Sequence, residues 1–94
     1  MTDVRPRLVY RVHAVQRMVE RGILEEDVAR VIAEGKEIEN YPEDKPYPSR
    51  LVLGWVGERP LHVVTATGER EIIVVTVYEP DPALWEPGFE GRRS

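Results

Sequence analysis

The 94-residue sequence predicts an α+β domain in which two N-terminal helices pack on a small, mostly antiparallel four-stranded sheet. Two observations lead there. Apolar residues recur at helical spacing from Val12 to Ile32, and three later runs rich in Val, Ile, Leu and Thr are separated only by short turn-forming stretches. A chain of this length makes one domain, with its core over about residues 8–86 and a flexible tail over 87–94.

The first helix is read in YRVHAVQRMVERGI. At about 100° per residue, Val12, Val15, Met18 and Val19 form one apolar face that is expected to sit on the core. His13, Arg17 and Arg21, spaced by four, form a polar stripe within roughly 80° on the side away from it. Gly22 ends this helix. Leu24, Val28, Val31 and Ile32 mark a second one, whose first turn carries Glu25, Glu26 and Asp27 against the helix dipole and which Gly35 stops. KEIENY is a short strand candidate, and PEDKPYPS, with three prolines in seven residues, is an exposed loop. RLVLGWV, LHVVTAT and EIIVVTVYE are strands whose short connections imply antiparallel neighbours. In the last, Ile72 and Val74 share one face and Ile73, Val75 and Val77 the other, so both faces are apolar. Something therefore covers the second face: the tail, a second copy of the chain in a homodimer, or a partner protein. The tail itself is expected to pack through Trp85 and fray beyond Phe89.

Composition removes several kinds of function. No cysteine is present, which excludes disulfides, thiolate metal sites and cysteine nucleophiles. No apolar run is long enough to span a membrane and MTDVRPRLV does not read as a secretory signal, so a cytoplasmic protein is expected. Ser49 and Ser94 are the only serines, and glycine-rich phosphate loops are absent. The two histidines lie far apart, so a metal site would have to recruit Glu20 or Glu79, and neither metal nor cofactor is expected. The net charge of −4 disfavours nucleic acid, but its distribution does not. Residues 1–21 hold five arginines against two acidic residues, a net +3, while the rest holds 8 basic and 15 acidic residues, a net −7. A basic head of this kind suits an anion.

Chemically, guanidinium groups donate bidentate hydrogen bonds to phosphate and an imidazole moves a proton near neutral pH, so His13, Arg17 and Arg21 suit phosphodiester binding or cleavage. The alternative is a solvated face in which Arg17 and Arg21 pair with Glu20, Glu25 or Asp27. His62, inside the apolar PLHVV, is either a core or cleft histidine, which if buried needs partners for its ring nitrogens, or a catalyst, the first being the more common case. Tyr78 is a core aromatic with its hydroxyl at an edge, or an acid or base.

The pattern H-A-x-x-R-M-x-x-R-G-I (His13 to Ile23), then Glu25 to Val28 and Gly35, SRLVLG, PLHVV and VVTVYEPDP followed by Trp85, resembles a bacterial and archaeal domain-of-unknown-function family over about residues 8–86. That family is similar to the RelE/ParE and BrnT toxins, small proteins with two helices on a twisted antiparallel sheet. The resemblance implies the toxin of a type II toxin–antitoxin pair, with a cognate antitoxin as partner and RNA as substrate. It implies a metal-independent endoribonuclease in which the ribose 2′-hydroxyl attacks the adjacent phosphate. His13 or His62 would be base or acid, Arg17 and Arg21 phosphate clamps, and Tyr78 a supporting hydroxyl. The rival reading is a non-catalytic module that holds nucleic acid or an acidic protein segment, a ParE-like gyrase poison included.

Overall fold

The computed structural model describes residues 7–94. Arg5 and Asp3 of the basic head lie outside the described residues. The elements run β1 (Arg7–Tyr10), α1 (Val12–Arg21), α2 (Glu25–Glu34), β2 (Lys36–Tyr41), β3 (Ser49–Val56), β4 (Arg59–Thr67) and β5 (Glu71–Tyr78). The fold is α+β, with one sheet ordered β1-β5-β4-β3-β2. Strands β2 to β5 are the four the sequence predicts, and each pairs antiparallel with its neighbour. The fifth strand, β1, corrects the count: it lies parallel to β5, with Arg7 opposite Glu71 and Tyr10 opposite Val74. Among the described residues, no helix is long and apolar enough to cross a membrane.

Both helices lie on one face of the sheet, and the core between them holds Ala14, Met18, Ile23, Val28 and Val31 against Val52, Leu61, Val63, Val74 and Val77. Gly22 ends α1 in the left-handed region at φ 64°, where an L side chain is strained, and the Ile23 N–H donates to the Met18 carbonyl at 2.8 Å. This turn drops Ile23 into the core. Gly35 serves differently. Its backbone is extended, and a Cβ there would stand 2.6 Å from the Leu53 carbonyl oxygen, so glycine lets the end of α2 lie directly on β3.

The rotation of α1 departs from expectation. Ala14 and Met18 are buried, whereas Val12 and Val19 are 74% and 77% exposed. The small Ala14 lets the helix approach β5 closely, and the valines are carried to one flank. The polar stripe is thereby the other flank rather than the side opposite the core. Strict alternation also fails in β5. Val64 pairs with Thr76 but Thr65 pairs with Val74, so Val75 is the extra residue of a bulge. Val74 and Val77 consequently both face the helices, while Ile73, opposite Ala66, faces away.

The second face of the sheet is partly covered by the tail. Trp85 is buried, as the sequence suggests, but the chain does not leave the surface after Phe89. It turns through Gly88 and Phe89, returns so that Arg92 bridges Trp85, and is fastened by the Lys36–Glu90 and Arg92–Glu39 ion pairs at 2.7 and 2.9 Å. Residues 80–94 form a strap across the ends of β2 to β5.

The contact between α2 and β3 sets a first test. A Cβ on Gly54 would meet Val31 Cγ2 at 2.5 Å, on the rigid β-branched side of the helix. Gly54→Ala is expected to cost about 1–3 kcal/mol through overpacking. Equilibrium urea unfolding measures this; an unchanged midpoint would show that α2 shifts freely on the sheet.

Candidate functional site

Two groups of side chains carry chemistry, and the sheet separates them. The first is the α1 stripe. His13, Arg17 and Arg21 are all exposed on one flank of the helix. Arg17 is 3.5 Å from Glu20, a loose surface pair that contributes little. Among the described residues, neither Glu25 nor Asp27 pairs with Arg17 or Arg21. The backbone at the end of the stripe is held from below by Arg59, whose guanidinium donates to the Arg21 carbonyl and also pairs with Glu79 at 2.7 Å. The stripe therefore keeps its charges toward solvent while its scaffold is fixed.

The second group is built around His62. Leu61 and Val63 enter the helix-side core, so alternation along β4 turns His62 to the opposite face. There it is fully buried. His62 Nε2 lies 2.9 Å from the Phe89 carbonyl oxygen, which only accepts, so Nε2 carries the proton. Nδ1 then accepts from the Tyr78 hydroxyl at 3.2 Å, across the β4–β5 pair in which these two residues are opposite. Burial holds the imidazole pKa below its ordinary value, and the Phe89 carbonyl opposes that only in part. The ring is neutral, of one tautomer, and satisfied at both nitrogens.

Outward from it the cluster becomes wetter. Trp85 meets the imidazole edge to face at 4.4 Å, and the Arg92 guanidinium lies 4.7 Å over the Trp85 ring. Arg92 also forks onto Glu39, with Nε and Nη2 at 2.9 and 3.0 Å from its two carboxylate oxygens. That fork holds the Glu39 carboxyl below the usual carboxylate range. The Tyr41 hydroxyl donates to the same carboxylate, which raises its own pKa. Burial raises that of Tyr78. Phe89, at φ 62°, takes a conformation that costs a bulky residue on the order of 1–3 kcal/mol, and in it gives its carbonyl to His62 and its ring to Trp55.

The structure thus brings His62 together with Tyr78, and His13 with Arg17 and Arg21. It does not bring the two sets into one hollow, because α1 packs on one face of the sheet and His62 points from the other. Glu39, Tyr41 and Arg92 complete the second cluster without a linear signal, since Glu39 and Arg92 meet across 53 positions of sequence. Among the described residues, no three His, Asp or Glu side chains gather as metal ligands.

A family model described as Domain of unknown function (DUF4258) matches residues 10–79. The chain belongs to this family. No curated protein and no solved structure matches it. The DUF4258 match contains the α1 stripe, His62 and Tyr78, whereas Trp85, Phe89 and Arg92 follow its end. The strap that closes over His62 is therefore built from residues outside the matched segment.

The buried neutral imidazole makes stability depend on pH. Its folded-state pKa is depressed below the ordinary value of about 6.5, so its contribution is present above that pH and is lost as pH falls below it, when the unfolded chain takes up a proton that the folded chain resists. The urea midpoint is expected to hold steady near neutrality and to fall below about pH 6.5, with His62→Gln flattening that interval. Coincident slopes for the wild type and the variant would remove His62 as the cause.

Proposed function

We propose that this DUF4258 protein acts on RNA as the toxin-like member of a two-protein pair, related to the RelE/ParE and BrnT toxins, and that α1 is its RNA-binding element. The observation that carries this reading is the exposed flank of α1, where two guanidinium groups and an imidazole stand four residues apart over a fixed backbone. Successive members of the stripe are separated by about 6 Å along the helix axis, which lets each meet its own phosphate on one strand.

In the catalytic form of the proposal, Arg17 and Arg21 hold the phosphate and stabilise the charge that grows on its oxygens. His13 takes the proton of the 2′-hydroxyl as its oxygen attacks phosphorus. The bond to the 5′-oxygen breaks, that oxygen takes a proton from solvent while His13 releases to solvent the one it accepted, and a 2′,3′-cyclic phosphate remains. His62 and Tyr78 act at a distance, by keeping β4, β5 and the strap in place. The cognate antitoxin covers the stripe and, across the solvent-facing ridge of α1, the valine flank, where Val12, Val15 and Val19 offer exposed apolar area.

One observation favours a second reading. With His62 buried on the other face, the stripe retains one imidazole, His13, and the carboxylate next to it, Glu20, is paired with Arg17, where general acid–base cleavage uses two proton transfers. A non-catalytic module that holds RNA or an acidic protein segment, a gyrase poison included, needs only the cations.

Incubation of the purified protein with RNA in EDTA separates the readings. Cleavage with cyclic phosphate ends is expected, His13→Ala lowering the rate by about 10²–10⁴-fold with binding retained. Arg17→Gln and Arg21→Gln are each expected to weaken binding and to reduce the salt slope by about 0.7. Salt-sensitive binding without cleavage supports the module, and binding indifferent to both arginine substitutions would sink both readings.

A further inference from the structure

The face of the sheet away from the helices carries a cavity that neither the stripe nor the His62 cluster uses. It has a volume of about 300 Å³ and lies under the proline loop, at the opposite end of the face from the strap. Val64, Ala66 and Val75 form its apolar floor, and Arg11, Lys45 and Tyr47 stand around it. Arg11 reaches this side because Tyr10, one residue earlier, packs against the helix-side core. Val75 reaches it because it is the bulged residue of β5. The wall is fastened to the sheet: the Thr67 N–H donates to the Pro48 carbonyl at 3.0 Å, the Ser49 hydroxyl donates to the Asp44 carboxylate, and the Tyr47 ring lies over Gly68, where a Cβ would come within 3.7 Å of its Cζ. The cavity is thus formed before any ligand arrives, with a volume at the lower end of the roughly 300–1,000 Å³ of small-ligand sites.

Its chemistry is mixed in a definite way. An apolar floor beside an aromatic ring accepts a planar ring system, and Arg11 and Lys45 accept an anion, outnumbering the one carboxylate of the lining, Asp44, which accepts a hydrogen bond from the Ser49 hydroxyl. We infer that this cavity is a nucleotide subsite, in which an unstacked base lies on Val64 and Val75 against Tyr47 while its phosphate meets Arg11 and Lys45. The inference rests on the reading that the chain acts on RNA, and adds that the RNA is single-stranded where it is held, since only a splayed base enters such a cavity.

The test titrates the common ribonucleoside 5′-monophosphates, inorganic phosphate and a short fluorescein-labelled oligouridylate, using amide chemical shifts for the small ligands and anisotropy for the oligomer. Monophosphates are expected to shift the amides of Arg11, Tyr47, Ala66 and Val75 while phosphate alone does not. Tyr47→Ala and Arg11→Gln should each weaken oligomer binding by about tenfold, Tyr47→Phe restoring it, and each variant melting as the wild type does. Arg17→Gln should weaken the oligomer and leave the monophosphates unaffected. Oligomer binding indifferent to Tyr47→Ala and Arg11→Gln, or equal shifts from inorganic phosphate, overturns the subsite and leaves the RNA reading standing. Monophosphate shifts with no oligomer binding support the subsite and overturn the RNA reading. Silence from every ligand overturns both.

Discussion

The neutral imidazole of His62 is the point on which the rest of the sheet's outer face is organised. Leaving either ring nitrogen unpaired in that position would cost about 1–3 kcal/mol, so Tyr78 and the Phe89 carbonyl are fixed within hydrogen-bond reach of it. One contact ties β4 to β5 and the other ties β4 to the strap. Trp85 seals the ring from water, Arg92 lies over Trp85, and Glu39 receives Arg92 at the rim, so the cluster passes from a dry, uncharged centre to a paired charge at the surface. Phe89 accepts a left-handed backbone to deliver its carbonyl, which is tolerated because its ring and its oxygen are both engaged.

The sheet divides the molecule's chemistry in two. On the helix side, close approach is made possible by small residues, Ala14 over β5 and Gly54 beneath Val31. This packing turns α1 so that its cations and its valines lie on opposite flanks, both reachable from solvent. On the other side, the strap and the proline loop cover the two ends of the sheet and leave the cavity at Val64 and Val75 between the loop and Arg11. The bulge in β5 serves both sides, because one extra residue lets Val74 and Val77 join the core while Val75 lines the cavity. Arg11 and His13 are two residues apart at the junction of β1 and α1, so the cation of the cavity and the first member of the stripe share one fixed turn of backbone.

What the sequence determined by itself is local and periodic: both helices with their glycine stops, strands β2 to β5 and their antiparallel order, the exposed proline loop, the burial of Trp85 and membership of a domain-of-unknown-function family. These follow from spacing over a few residues and from connections too short for any other pairing. The tertiary structure alone decided which face of α1 is buried, the bulge at Val75, the place of β1 beside a strand 64 positions later, the return of the tail, and the separation of His62 from the stripe. Each of those depends on which distant side chains compete for the same space and hydrogen bonds. A four-residue strand such as RLVY, or a helix with apolar residues on both its buried face and one flank, offers several local solutions, and only packing against the assembled sheet selects one.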